Sequence, residues 1–301
     1  MRQPGSYLIV LLGVAVFTTR GLAGENPAAH GEYLFRAAGC AACHTDKEHG
    51  GPVLAGGRRI DTPFGIFYSP NITPDQRHGI GAWSSEQFVA ALRHGVSPQG
   101  QRYYPVFPYP SYAAMRRADM LALWAYLQTV PTAARANRLH QLPWYLRTRL
   151  LNRLWQFAFF RTRTYRDNPA RSPSWNRGAY LVQALAHCPQ CHTPRTPFGS
   201  LDLRKPLAGT KTGPDGDSVP NITPDLSTGI GSWSRSELRE YLTSGLMPDG
   251  DTADGLMAEV IDDGLSYLRR DDVDAIITYL RSLKPIRNQV REESSDAGDE
   301  F

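Results

Sequence analysis

The stretch GCAACHTDK, residues 39–47, places two cysteines three positions apart and a histidine directly after the second. The stretch HCPQCHTPR, residues 187–195, repeats this Cys-x-x-Cys-His spacing. The chain of 301 residues contains four cysteines, and these two motifs hold all of them. Any chemistry assigned to one pair must therefore account for the other.

Among the uses of Cys-x-x-Cys, covalent haem attachment also accounts for the histidine. A redox dithiol or a disulfide has no need of that histidine. A structural zinc site needs four ligands in closed geometry, and each motif lies in its own repeat. In a c-type haem the two thiols add to the vinyl groups and the histidine ligates the iron. The sequence thus predicts two covalent haem c groups, with attachment residues Cys40 and Cys43 then Cys188 and Cys191, and iron ligands His44 and His192.

The two halves of the chain repeat each other beyond the cysteines. The segment NITPD at residues 71–75 recurs 150 positions later, as does GIGAWS at 79–84 in the form GIGSWS. In both halves a serine, Ser84 or Ser234, precedes a helical pattern that a glycine ends. Each half closes with a further helical pattern and neither shows alternating strands. We predict an all-α duplication with domains at 25–131 and 173–285.

The connector at residues 132–172 carries nine arginines and one acidic residue, Asp167. Its stretch LPWYLRTRLLNRLWQFAFF predicts an amphipathic helix. One interpretation is a linker that packs across both domains. The other is a docking surface for an acidic partner or anionic lipid, with peripheral contact to the inner membrane. Residues 286–301 form an acidic tail that we expect to be disordered.

The N-terminus predicts export, and the composition excludes other classes of protein. Arg2, an apolar run at residues 7–17 and the small residues that follow are typical of a signal peptide over residues 1–24. An uncleaved anchor is the alternative, but the run is shorter than the roughly 20 residues that span a bilayer. A net charge of +4 without any nucleic-acid motif argues against nucleic acid as a partner. We predict a periplasmic protein.

Methionine is the expected sixth ligand of each iron. In the second half we favour Met257, expected in the loop before the closing helix as in a class I cytochrome c, over Met247. In the first half we favour Met115 over Met120, which we expect to pack in the core. His94 or His78 would be the alternative ligand, and His187 is expected to face solvent.

Several segments resemble the periplasmic cytochrome c subunits of membrane-associated alcohol and gluconate dehydrogenases. They are TPFGIFYSPNITPD, GIGAWS, YPVFPYPSY, NRGAYLVQALAHCPQCHTPR and VPNITPD. The resemblance implies two tandem class I cytochrome c domains joined by the basic helical linker. Those subunits have three Cys-x-x-Cys-His motifs, whereas this chain has two.

The resemblance further implies electron transfer without substrate chemistry. The expected donor is a periplasmic or membrane-associated dehydrogenase of the flavin, quinone or molybdenum type, and the acceptor belongs to the respiratory chain. The alternative is a dihaem enzyme such as a cytochrome c peroxidase or a thiosulfate dehydrogenase. The latter commonly uses a further cysteine as distal ligand, and both motifs already consume every cysteine.

Overall fold

A computed structural model describes residues 26–290. The predicted signal peptide and residues 291–301 of the predicted tail lie outside this range. The described chain is mainly helical, as the sequence predicted. Its α-helices, in chain order, are α1 Pro27–Ala37, α2 Cys40–His44, α3 Ser85–His94, α4 Tyr109–Tyr112, α5 Arg117–Leu127, α6 Trp144–Arg147, α7 Leu150–Phe159, α8 Pro173–Tyr180, α9 Pro189–His192, α10 Arg235–Ser244, α11 Gly255–Asp263 and α12 Arg270–Arg281.

Local sequence explains where α3 and α10 begin and end. Ser84 accepts the amide of Gln87 and the Gln87 side chain accepts the amide of Ser84, which forms a capping box. Ser234 and Glu237 form the same box at the start of α10. Both helices end at a glycine in the left-handed region, with φ of 61° and 80°. The helix boundaries predicted from this pattern are confirmed.

A glycine brings the first and last helices of each half into backbone contact. A Cβ atom at Gly31 in α1 would lie 2.0 Å from the carbonyl oxygen of Ala122 in α5. A Cβ atom at Gly178 in α8 would lie 1.9 Å from the carbonyl oxygen of Ala275 in α12. Since real Cβ atoms do not approach so closely, the two helix pairs require glycine at both places.

A β-hairpin that the sequence did not predict lies in the first half. Strands β1 Arg59–Thr62 and β2 Gly65–Tyr68 pair antiparallel. The connector then joins this hairpin, since Ile66 and Gln141 exchange backbone hydrogen bonds of 2.9 and 2.8 Å. Leu142 completes a small apolar cluster with Phe67 and Tyr104. The first part of the connector is therefore packed onto the first half.

The two halves share one hydrophobic core and exchange polar contacts. The buried core includes residues of α1 and α5 together with residues of α8 and α12. Tyr33 of α1 donates a hydrogen bond to Asp272 of α12 in the other half. Reciprocally, Tyr180 of α8 donates to Asp119 of α5 at 2.5 Å. Each half thus contributes both the donor and the acceptor to the contact between them.

The segment after α12 also packs onto the protein. The Asn221 side-chain amide donates to the carbonyl of Ile286 at 2.7 Å. The Asn288 side chain donates to the carbonyl of Ala208 at 2.9 Å. Residues 286–288, which we expected to begin a disordered tail, are therefore tied to the second half.

Candidate functional site

The first Cys-x-x-Cys-His motif forms α2, and its histidine is held by a backbone carbonyl. His44 Nδ1 lies 2.8 Å from the carbonyl oxygen of Pro70. A carbonyl can only accept, so Nδ1 carries the proton and donates, which leaves Nε2 with a free lone pair. Burial lowers the pKa of His44, and the bond to Pro70 opposes this only in part. The ring is thus neutral at physiological pH, in the form that binds a metal.

The second motif repeats this geometry around α9. His192 Nδ1 lies 2.8 Å from the carbonyl oxygen of Pro220, and burial likewise lowers the pKa of His192. Burial raises the pKa of the Cys188 thiol to about 12, and that of Cys40 to about 12 as well. Both thiols are therefore protonated in the absence of a bound group. None of the four cysteines, all within the described range, forms a disulfide.

The repeated NITPD segment explains why the two proline carbonyls are in place. Asn71, directly after Pro70, accepts the backbone amide of Thr73 at 2.9 Å and donates to the carbonyl of Ala133 at 2.7 Å. Asn221, directly after Pro220, accepts the amide of Thr223 at 2.9 Å. The repeat of NITPD is visible in the sequence, but no sequence signal indicates a role for the prolines that precede it.

A second repeated loop closes over each histidine motif. The amide of Leu54 donates to Thr45 Oγ1 at 3.2 Å, and that of Leu207 donates to Thr193 Oγ1 at 2.9 Å. Both leucines adopt φ of 61°, which is unfavourable for a residue with a branched side chain. Strained backbone of this kind persists where the surroundings fix it, typically at functional sites.

The described residues offer no alternative site for a structural metal. Between residues 26 and 290, no group of three or more His, Cys, Asp or Glu side chains could hold a metal ion. Each histidine motif supplies two thiols and one neutral imidazole, which is the donor set of c-type haem attachment.

Comparison with known proteins agrees with this donor set. The family model for cytochrome c matches residues 28–131. A protein named diheme cytochrome c-type from Cereibacter sphaeroides is 40% identical over 279 residues, which cover 88% of each chain. The chain belongs to the cytochrome c family. Covalently bound haem c follows from membership of this family.

Two further relatives of this cytochrome carry the names of dehydrogenase subunits. The gluconate 2-dehydrogenase cytochrome c subunit of Pantoea cypripedii is 38% identical over 92% of this chain and 65% of its own length. The fructose dehydrogenase cytochrome subunit of Gluconobacter japonicus is 42% identical over 84% of this chain and 52% of its own length. The cytochrome thus spans between half and two thirds of these two relatives. The resemblance to dehydrogenase cytochrome subunits is confirmed.

The structure places the candidate sixth ligands of the cytochrome on different elements in the two halves. Met115 lies in the loop before α5 and is fully buried in the core. Met257 packs partly buried against the same core, as Cys40 and Cys188 do. It lies within α11, and not in a loop as we expected. Met247 follows α10 and is absent from the apolar residues around that core.

Two of the other candidates in the first half have side-chain contacts of their own. Met120 is buried in α5 with its sulfur 3.7 Å from Arg93 Nη2, in agreement with a core role. His94 is exposed at the end of α3, with Nδ1 3.5 Å from Thr162 Oγ1.

Each attachment motif of the cytochrome also contacts the other half. Gln190, between Cys188 and Cys191, donates to Ser111 of α4 at 2.8 Å. The His187 ring packs against Tyr112 of α4 with ring centroids 5.2 Å apart, so our expectation that it faces solvent is wrong. Burial lowers the pKa of His187 to about 4. The Tyr112 hydroxyl also donates to the carbonyl of Ala38, two residues before Cys40, at 3.3 Å, so α4 contacts the chain beside both motifs.

Charged side chains also link the first attachment motif to the second half. Arg58 donates to the carbonyl of Ala42, between the first two cysteines, at 2.7 Å. The same guanidinium pairs with Glu259, two residues after Met257. Lys47 pairs with Asp263 at 2.5 Å at the end of α11.

Within residues 26–290, no helix is long and apolar enough to span a bilayer.

Proposed function

We propose that the chain is a dihaem cytochrome that carries electrons from a partner dehydrogenase towards the respiratory chain. One haem c would be held in each half, by Cys40 and Cys43 and by Cys188 and Cys191. The observation that carries the proposal is the matched bond from His44 and His192 to a proline carbonyl, 2.8 Å long in both halves. Such a bond fixes the ring and directs Nε2 at a metal.

The described residues fit a haem in each half. The attachment thiols of Cys40 and Cys188 pack against the apolar core, where a porphyrin could be excluded from water. Bound haem c takes up and releases one electron at a time. The protein supplies the covalent anchors, the neutral imidazole and the apolar surroundings that set the potential.

We assign the sixth ligands to Met115 and Met257. Support for Met115 comes from its complete burial and from Arg93, which donates to its carbonyl at 2.8 Å and so fixes the loop before α5. Support for Met257 comes from its packing, partly buried, against the same apolar core that Cys188 of the second motif contacts. A sulfur ligand opposite histidine raises the potential, as suits an electron carrier.

The proposed architecture comprises two tandem class I cytochrome c domains, 25–131 and 173–285, with the basic linker 132–172 between them. The contacts of Tyr112 and Ser111 with the second motif would hold the two haems of such a relay together. A cleaved signal peptide would place the protein in the periplasm. The relatives named for gluconate and fructose dehydrogenases support a dehydrogenase as electron donor.

Haem counting tests the proposal directly. The exported protein should show two haems by mass and by the pyridine haemochrome assay. The double variant Cys40→Ser, Cys43→Ser should retain one haem, and Cys188→Ser, Cys191→Ser should retain the other. A wild-type protein with one haem, or peroxide turnover by the isolated cytochrome, would contradict the proposal.

The sixth ligands need a separate experiment with matched controls. Met115→Ala and Met257→Ala should each convert one haem to the high-spin form, seen in the optical and paramagnetic resonance spectra. Met120→Ala and Met247→Ala are the controls, and they should leave both haems low-spin. If Met120→Ala gave high-spin haem and Met115→Ala did not, the sixth ligand of the first half would be reassigned to Met120. The same comparison between Met247→Ala and Met257→Ala would reassign the ligand of the second half.

A further inference from the structure

Helix α7 in the linker is oriented with its polar side towards the protein. Asn152 and Gln156 are one turn apart and both are buried. The Asn152 side chain donates to the carbonyls of Arg102 and Tyr103 at 2.9 Å each. The Gln156 side chain donates to the carbonyl of Gly95 at 3.3 Å. Amide side chains, and not apolar ones, therefore attach this helix to the first half.

The apolar side of α7 consequently faces outwards. Phe157 is 79% exposed, Leu150 60% and Leu154 55%. The neighbouring α6 adds Trp144, which is 77% exposed. A surface helix normally turns its apolar stripe to the core, so this arrangement is the reverse of the usual one. The helix also contacts the second half, since Trp155 donates to the carbonyl of Phe198 at 2.8 Å and the rings of Phe159 and Phe198 stack. The side of α7 that carries Leu150, Leu154 and Phe157 is left uncovered by either half. We call this surface of α6 and α7 the outer face.

Arginines border the outer face and lack acidic partners in the described chain. Arg147, Arg153, Arg161 and Arg163 are all exposed. The ion pairs formed among residues 26–290 include none of the four. Arg161 donates instead to the carbonyls of Phe157 and Phe160, at the edge of the apolar side chains. A contiguous apolar surface rimmed by uncompensated positive charge marks an interaction site.

We propose that the outer face docks on the anionic surface of a phospholipid bilayer, with α7 lying parallel to the membrane plane. The combination matches an interfacial helix, in which Phe and Leu enter the acyl boundary and arginines meet lipid phosphates. Trp144 and Tyr145 would lie at headgroup level, where such side chains are enriched. The proposal is independent of the number of haems and of the electron donor.

Charge is what favours a lipid surface over a second copy of the chain. Four exposed arginines around one apolar patch would repel the same four arginines of a copy. An anionic bilayer supplies both the apolar phase and the compensating charge over the whole outer face.

Vesicle flotation of the full-length, haem-loaded protein tests the proposal. Vesicles of phosphatidylcholine with about one third phosphatidylglycerol should carry the protein upwards, and pure phosphatidylcholine should carry far less. Phe157→Asp should weaken binding to the anionic vesicles by about tenfold or more. Arg153→Gln should weaken it by about fivefold, and high salt should mimic this change.

Leu226→Asp is the matched control, because Leu226 is 75% exposed but belongs to the second half and not to α6 or α7. It should bind as the wild type does, and all variants should keep the wild-type haem spectrum and circular dichroism. Equal binding to neutral and anionic vesicles, or an unchanged Phe157→Asp variant, would overturn the proposal. Dimers that Phe157→Asp dissociates, without vesicle binding by the wild type, would assign the outer face to a second copy and also overturn it.

Discussion

Replacement of Gly178 by alanine should disrupt the closest helix contact of the second half. The added Cβ would lie 1.9 Å from the carbonyl oxygen of Ala275 and 2.5 Å from its carbonyl carbon. To restore a separation of about 3.0 Å, α8 and α12 would have to move apart by about 1 Å. Both helices are packed with fully buried side chains, so this movement would open gaps along the pair.

The expected magnitude follows from two opposing effects. Overpacking of this kind costs about 3 kcal/mol at the upper end of the usual range. Alanine in place of a helical glycine returns about 1 kcal/mol of helix propensity. We therefore expect Gly178→Ala to lower the free energy of unfolding by about 2 kcal/mol.

Urea unfolding followed by far-ultraviolet circular dichroism and haem absorbance would measure this change. Gly31→Ala is the counterpart in the first half, where the Cβ would lie 2.0 Å from the carbonyl oxygen of Ala122, and a similar loss is expected. Since the halves share one core, both probes should shift together in each variant. A loss under about 0.5 kcal/mol would refute the close helix contact on which the reasoning rests.

Other expectations concern the proline loops, acid stability and the surface pair. Asn71→Ala should lower the free energy of unfolding by about 2 kcal/mol, because it leaves the carbonyl of Ala133 without its hydrogen bond. In a redox titration, Asn71→Ala should shift the reduction potential of one haem only, and Asn221→Ala should shift that of the other. Burial alone would raise the pKa of Asp272, but hydrogen bonds from Arg177 and Tyr33 hold it below its usual value. The Asp272 carboxylate therefore stabilises the fold fully above about pH 4, and this stabilisation is lost as the pH falls through the lower folded-state pKa. In Asp272→Asn, the free energy of unfolding should consequently depend less on pH in that range. Lys47→Met removes a partly exposed pair, so it should cost less than about 1 kcal/mol, and less still in high salt; a larger effect in urea unfolding would contradict this.

Features fixed by local chemistry were predictable from the sequence. The spacing of Cys40, Cys43 and His44 specifies attachment chemistry within one turn, and the serine before α3 specifies a capped helix start. These signals need no knowledge of the rest of the fold. The cytochrome family and the helical class could therefore be predicted.

Features that depend on contacts between distant residues could not be predicted in this way. The bond between His44 and the Pro70 carbonyl joins residues 26 positions apart, and only the folded loop brings them together. The periodicity of α7 revealed an apolar side but not what faces it, because the hydrogen bonds of Asn152 to Arg102 decide the orientation. Met257 was expected in a loop because a class I cytochrome c places its methionine ligand there, yet α11 begins two residues earlier.

The reciprocal exchange between Tyr33 and Asp272 and between Tyr180 and Asp119 gives the two halves matching, self-complementary surfaces. Symmetric dimers of separate chains are built on the same rule, in which each subunit offers both sides of the contact. Severing the chain within the linker would therefore leave two fragments that still carry all the groups needed to recognise each other. In such a protein the covalent connection raises the effective concentration of one half around the other without defining how they fit.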